Sequence, residues 1–369
     1  MTRVSAVFAA LIVFVATAAF AQDPIILEYH EVDPMPVRGW GVTSEDFAEQ
    51  MQFLAKSGYN VIPIADLVGY LYGKRTSLPP NPVVITDDDG WLCAHTEIEP
   101  VLKHFGFPWS LYIYPKIIGQ GSHALSWPQV EALEADGVDV ESHTMSHADL
   151  TRKGHPPMSD AQYDAFLRTE LDDSRDVIES HTKRPVRFLS YPFGNYDDVV
   201  TAAARRAGYT AGLVSWLRPN KRTTDPMKLG RFKMVSDTSL DQFRTALGAA
   251  TLLLSDVSPA AGGVLTKGQT TLSATIDDTQ LDHASIHAML LMEDIGEASY
   301  DPASHRVMLM FKGTPHNDRQ TVIVEAMTKQ GQRAIGLWTF YMSDATKKKY
   351  ELLKEKLSKI PLQDGEARQ

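Results

Sequence analysis

Three stretches of this 369-residue chain gather side chains that do chemistry. Thr86-Asp87-Asp88-Asp89-Gly90 sets three carboxylates side by side, directly after the β-rich run Val83–Thr86. Adjacent carboxylates repel, and burying them without a cation is costly. A bound cation relieves the repulsion and leaves a neighbouring carboxylate free to act as a base. The alternative is an acidic turn in water. His143-Thr144-Met145-Ser146-His147 places two imidazoles at i and i+4, which point the same way if the loop enters a helical turn. Phe188-Leu189-Ser190-Tyr191-Pro192-Phe193-Gly194 ends a third apolar run and, by itself, reads as a Pro-Gly turn. Two histidines and an aspartate, without thiolate, match a catalytic zinc-type site that keeps one position open for water.

Such residues need a frame that brings them to one place. From Pro24 to about Phe243, short apolar runs alternate with helical patterns. Strand candidates are Ile25–Leu27, Val61-Ile62, Val83–Thr86, Ser110–Tyr114, Val138–Glu141, Phe188–Tyr191 and Thr210–Val214. Between them, Ser44 offers an N-cap for a helix bearing Phe47, Met51 and Leu54, and Asp160–His181 reads as one long helix. About seven such alternations predict a parallel sheet wrapped by helices, in the form of a barrel. All three motifs then emerge at one rim, the C-terminal ends of the strands. After residue 250 the period changes to two, as in Leu272, Ala274, Ile276 and Val307, Leu309, Phe311. That pattern predicts a small, non-catalytic β-sandwich over about 258–345, of a kind that can fold independently, which either supports a barrel spanning 22–250 or extends a sugar-binding surface. A C-terminal helix and tail follow over 346–369, with an apolar stripe at Tyr350, Leu353, Leu357 and Ile360.

Composition narrows the classes further. Hydrophobic residues make up 43% and charged residues 22%, which excludes disordered and fibrous chains. The net charge of −10 argues against nucleic acid as a partner. Cys93 is the single cysteine, so neither an internal disulfide nor a multi-thiolate zinc site is available. Arg3, the apolar run Val7–Val15 and the Ala19-Phe20-Ala21 end predict a signal peptide over residues 1–21, hence export to the periplasm or medium. An uncleaved anchor is the alternative. No later stretch is apolar enough to span a membrane.

Together these motifs resemble the polysaccharide deacetylases of carbohydrate esterase family 4, whose catalytic module is a distorted (β/α)7-type barrel. Thr86–Gly90 resembles the family's T-F-D-D-G signature, His143–His147 its H-[ST]-x-x-H, and Tyr191–Gly194 its aromatic-Pro-x-Gly strand end. Leu27-Glu28-Tyr29-His30 and Leu78-Pro79 fit the flanks, so that the likeness runs from about residue 24 to 235. The Tyr-Pro-Phe-Gly variant resembles the branch acting on exopolysaccharide such as poly-N-acetylglucosamine. The resemblance implies that Asp88 is the general base and that Asp89, His143 and His147 bind a divalent metal. Zinc is the default, with cobalt, nickel or iron also suited to such a site. It implies an oxyanion held by the metal and a backbone N–H near Tyr191, beside Pro192. Independently of the resemblance, Trp109 is the aromatic near a strand end assigned to substrate, with core packing as the default alternative. The implied partner is an N-acetylated polysaccharide.

Three departures from the family pattern bear on mechanism. Asp87 replaces an aromatic or aliphatic residue, and its charge would raise the pKa of Asp88. Ser190 stands where many members carry an arginine that orients the base; Arg231 is read as a structural ion pair. The late Leu-x-His that supplies the acid has no counterpart, and His283 and His287 read as surface residues. His30 is the substitute acid, with a structural histidine as the alternative. Two rivals use the same sequence differently: an O-acetyl polysaccharide esterase with the same metal centre, and a non-catalytic carbohydrate-binding protein. Acetate release from N-acetylglucosamine oligomers, compared with O-acetylated xylan, separates the three.

Overall fold

The computed structural model describes residues 23–215, 220–248, 250–290, 296–311 and 319–359. The predicted signal peptide lies outside the described residues. Among them, no helix is long and apolar enough to cross a membrane.

Each short apolar run is followed by a segment that returns the chain to the same rim, so the strands pair in parallel. β1 (Ile25–Tyr29) leads into β2 (Glu31–Asp33) and β3 (Gly41–Thr43), which pair with each other. Thr43, rather than Ser44, caps α1 (Ser44–Lys56), accepting from the Asp46 N–H at 3.0 Å. β4 (Asn60–Val61) and α2 (Ile64–Leu71) precede β5 (Pro82–Asp89), which is buried along its whole length. α3 (Glu99–Phe105), β6 (Ser110–Ile113), α4 (Trp127–Ala135) and β7 (Asp139–Ser142) follow. The long helix expected over Asp160–His181 is α5 (Asp160–Arg168) and α6 (Ser174–Thr182), joined by a π-turn at Thr169–Asp173. β8 (Phe188–Ser190), α7 (Asp198–Arg206), β9 (Ala211–Val214), β10 (Leu229–Gly230) and β11 (Phe232–Lys233) complete the sheet.

The strands lie in the order β10-β9-β8-β7-β6-β5-β1-β11. β10 and β11 are the two halves of one segment interrupted at Arg231. The first half pairs with β9 and the second with β1, which draws the sheet's edges into a nearly closed barrel. This is the (β/α)7-type architecture read from the sequence. Alternate side chains face opposite ways. Ile26, Val84, Tyr112, Phe188 and Leu213 form one apolar cluster, whereas Leu27, Val83 and Ile85 pack with the surrounding helices. Ile64, Leu67 and Val68 of α2 join the Ile26–Val84 cluster and plug the N-terminal mouth. The C-terminal mouth is left for chemistry.

Beyond α8 (Leu240–Ala246) two four-stranded sheets follow. β12 (Ala250–Thr251), β15 (His287–Leu290), β18 (Arg319–Met327) and β19 (Arg333–Tyr341) form one. β13 (Leu254–Ser258), β14 (Thr271–Ile276), β16 (Gly296–Asp301) and β17 (Arg306–Phe311) form the other. The period-2 residues Leu272, Ala274, Ile276, Val307, Leu309 and Phe311 meet Val322, Val324, Trp338 and Phe340 between the sheets. The β18–β19 sheet also has a second buried face. Ile323 and Ile335 belong to the barrel's own core, and Arg319 reaches Asp46 and Glu49 of α1 at 2.9 and 2.8 Å. The sandwich is therefore a docked layer, and cutting the chain near residue 250 would uncover barrel surface. The stripe at Tyr350, Leu353 and Leu357 of α9 (Asp344–Lys359), with Ile360, falls outside the described side chains.

Candidate active site

The three motifs meet at the C-terminal rim. β5 ends in Asp89, whose positive φ of 81° turns the chain, and Gly90 follows at φ 90°. A Cβ at Gly90 would lie 3.0 Å from Ile118 and 3.1 Å from Ile113, so glycine fits both the φ and the space. His143 follows β7 directly. The loop to His147 is not the expected helical turn: Thr144 and His147 both have positive φ, at 68° and 59°. Side chains hold this shape instead. Ser142 Oγ accepts from the Thr144 N–H, and Thr144 Oγ1 accepts from the His147 N–H. Glu170, carried by the π-turn, accepts from both the N–H and the hydroxyl of Ser146 at 2.9 and 2.6 Å. Both imidazoles still reach one point. Asp89 Oδ1 lies 3.6 Å from Nε2 of His143 and 3.6 Å from Nε2 of His147.

Several features of this trio suit a cation. Asp89 Oδ1 is buried with no hydrogen-bond partner, while Trp91 Nε1 donates to the other oxygen at 3.0 Å. His143 Nδ1 sits 2.8 Å from Ser190 O, which fixes the tautomer and leaves Nε2 as a lone-pair donor. Burial pushes His147 down to about 4 and lowers His143 too, so both rings are neutral ligands near pH 7. Burial also raises the Asp89 carboxyl, a cost that a cation at Oδ1 would remove. One carboxylate oxygen and two imidazole nitrogens are a donor set for zinc or a similar divalent ion.

A second trio, Glu28, His30 and Asp88, lies alongside, but a guanidinium already neutralises it. Arg231, at 1% exposure, donates to both oxygens of Asp88 at 2.8 Å and to Ser190 Oγ at 2.9 Å. Its Nε lies 3.3 Å from Glu28 Oε2. Ser190 Oγ donates to Asp88 Oδ2 at 2.9 Å. Burial pushes the Asp88 carboxyl up, yet Arg231 more than offsets this and holds it well below the usual range. His30 Nε2 lies 3.5 Å from Glu28 Oε1, its ring meets Trp40 edge-on, and burial pushes its pKa well down. Asp89, His143 and His147 therefore assemble, with Asp88 and His30 beside them.

Four expectations change. Arg231 does form ion pairs, but with the site's own Asp88 and Glu28, and it grips Asp88 where the family arginine was missing. Asp87 does not raise the Asp88 pKa: it lies on the opposite face of β5, and burial raises its own pKa. Trp109 stands at the start of β6, the rim opposite the site, and packs in the core; Trp91 is the tryptophan at the trio. The Tyr191 N–H is already given to Leu213 O at 3.0 Å, so it is committed to the β8–β9 ladder rather than to an oxyanion. Its ring is buried against Gly212, and Pro192 is buried at the strand end. Sequence reasoning also passed over Glu28 and Trp40. The available signal was a charge inside a buried strand, in Leu27-Glu28-Tyr29 and again in Gly230-Arg231-Phe232, since such charges require partners.

A family model described as polysaccharide deacetylase matches residues 75–212. The curated protein named "Putative polysaccharide deacetylase YxkH", from Bacillus subtilis (strain 168), is 27% identical over 203 residues, covering 55% of this chain and 67% of that one. Poly-beta-1,6-N-acetyl-D-glucosamine N-deacetylase of Staphylococcus aureus (strain MRSA252) is 19% identical over 181 residues, 48% of this chain. That match spans 61% of the staphylococcal protein, less than two thirds of its length. Among solved structures, Streptococcus pyogenes deacetylase PplD in complex with acetate aligns with a TM-score of 0.55 at 20% identity, covering 62% of this chain and 99% of that one. IcaB from Ammonifex degensii aligns with a TM-score of 0.55 at 22% identity, over 62% and 99% of the two chains. At these identities the structural likeness speaks for the barrel fold.

Proposed function

We propose that the barrel of this chain, matched over residues 75–212 by the polysaccharide deacetylase model, is a hydrolase of carbon–nitrogen bonds: a metal-dependent N-deacetylase of an exported polysaccharide. Its substrate in this reading is a polymer of the poly-β-1,6-N-acetylglucosamine type, the class named for the staphylococcal relative. The observation that carries the reading is Asp89 Oδ1, buried and unpartnered, 3.6 Å from two neutral imidazoles and next to an ionised carboxylate.

Asp89, His143 and His147 would hold the ion. A divalent ion there supplies positive charge that polarises the acetyl carbonyl and acidifies the attacking water. Asp88 takes the proton from that water, held in orientation by Arg231 and Ser190. The arginine favours the ionised form of this base, and its orientation compensates for modest basicity. His30, with a ring nitrogen within 4.8 Å of an Asp88 oxygen, passes the proton that Asp88 took from water on to the leaving nitrogen, so the products are acetate and an amine and both residues return to their starting state. Trp40 and Glu28 fix the plane of its ring. Export of the mature chain belongs to the same reading, since the polymer is extracellular.

The test is acetate release from a β-1,6-linked N-acetylglucosamine oligomer by protein loaded with zinc, together with two variants. Asp88→Asn should abolish turnover with its metal content nearly unchanged. Asp89→Asn should lose both. Equal metal loss in the two variants would refute the division into base and ligand. Acetate from O-acetylated xylan alone would make the protein an esterase, and none from either would leave a carbohydrate-binding barrel.

A further inference from the structure

The space around the trio differs in charge from one side to the other. A cavity of about 520 Å³ opens on Asp89 and His147 from the side of Trp91, a volume in the range of ligand pockets. Trp40 and Trp91 wall it near the trio, and Glu31, Asp33 and Glu97 line it farther out. Among the described residues, no lysine or arginine lines this cavity. Hydrogen bonds hold the three carboxylates in place: Glu31 Oε2 accepts from the Val37 N–H, Asp33 Oδ1 from the Met35 N–H and Glu97 Oε2 from Ser44 Oγ, each at 2.8 Å. His30, 7% exposed, also lines the cavity, and its Nδ1 has no hydrogen-bond partner. On the other side of the trio, a smaller pocket of about 210 Å³ is lined by Lys233, whose Nζ lies 3.5 Å from the Trp40 ring centroid. Trp40 borders both spaces, and the smaller one carries Glu28 and Asp88 beside Lys233.

The reaction makes that asymmetry meaningful. Hydrolysis of a neutral acetamide by one water gives acetate and an amine, and the amine is protonated near neutral pH. Every turnover therefore adds one positive charge to the polymer. We propose that the Glu31–Asp33–Glu97 cavity takes glucosamine units, as ammonium sugars, next to the acetylated unit being cleaved. The protein then favours a partly deacetylated polymer over a fully acetylated one. It also lays the cationic stretch on the side of this cavity, where carboxylates stand without a lysine or arginine in the lining. This inference rests on the deacetylase reading and specifies its substrate.

The experiment compares three β-1,6-linked pentamers: one fully N-acetylated, one with a single glucosamine at the reducing end, and one with it at the other end. The readout is kcat/KM for acetate release. Ion pairs at a partly exposed site predict that one of the two mixed pentamers is preferred roughly three- to tenfold over the fully acetylated one. The ratio should fall towards one in the double variant Asp33→Asn, Glu97→Gln. Raising the salt from about 0.05 M to about 0.5 M should do the same in the unaltered protein, because screening shortens the reach of exposed charges. Ratios at or below one for both mixed pentamers overturn the proposal, and so does a preference that survives both the double variant and the salt. No acetate from any pentamer would instead strike the deacetylase reading itself.

Discussion

Asp88 lies in a closed frame of donors, with Arg231 on both of its oxygens and Ser190 on one. A guanidinium fork fixes a carboxylate plane in a way that an ammonium cannot. Arg231→Lys keeps the charge and loses the fork, so kcat should drop by roughly 10- to 100-fold while bound metal is retained, as expected for a misoriented base. Metal loss in that variant would mean that Arg231 supports the fold of the trio instead. His30 has a separate signature. His30→Ala should slow amide cleavage far more than cleavage of an activated acetyl ester, whose leaving group needs no proton. Equal slowing of both substrates would assign His30 to positioning.

At the scale of elements, the His143–His147 loop depends on a helix irregularity. A regular helix over residues 160–182 would not present Glu170 as it stands. The π-turn at Thr169–Asp173 inserts a residue into the helical ladder, and Glu170 reaches Ser146 while its carbonyl accepts from the Met145 N–H at 3.0 Å. Glu170→Gln offers a donor where Ser146 needs two acceptors. Residues that orient ligands in this way typically change metal affinity by about 10- to 100-fold when replaced. Zinc titration of Glu170→Gln by calorimetry should show at least the lower end of that loss. Affinity equal to the unaltered protein would mean that the loop keeps its shape from Ser142 and Thr144 alone.

At the scale of the whole molecule, the sandwich is fastened to the barrel by Ile323, Ile335 and the Arg319 contacts with α1. Burial pushes Glu49 up from 4.5 to about 7, in spite of Arg319 beside it. The folded state therefore binds this proton more tightly than the unfolded one. The resulting stabilisation is fully present below about pH 4.5 and is lost as pH rises through about 7. Glu49→Gln, neutral throughout, should gain stability relative to the unaltered protein as pH goes from about 5 to about 8. Denaturant midpoints across that range measure the difference. A gap moving the other way would show that the ion pair with Arg319 outweighs desolvation.

Local spacing determined much of this protein in advance. Alternating apolar runs dictated the parallel barrel, and period-2 runs the sheets beyond it, because side-chain period follows backbone geometry. Motifs placed just after strands dictated one shared rim, so Asp88, Asp89, His143 and His147 were legible as neighbours. What tertiary structure decided was everything that depends on residues distant in sequence. Arg231 meets Asp88 only because β10 and β11 split to close the barrel, across 143 positions of chain. Trp109 and Trp91 are both aromatics beside strands, and only the direction of β6 and β5 separates the far rim from the site. Whether the sandwich supports the barrel was open in the sequence, since a run such as Val322-Ile323-Val324 does not say what covers its second face; the fold puts Ile323 in the barrel's core. Propensity and periodicity act over a few residues, whereas pairing of buried charges and docking of layers depend on closure of the whole chain.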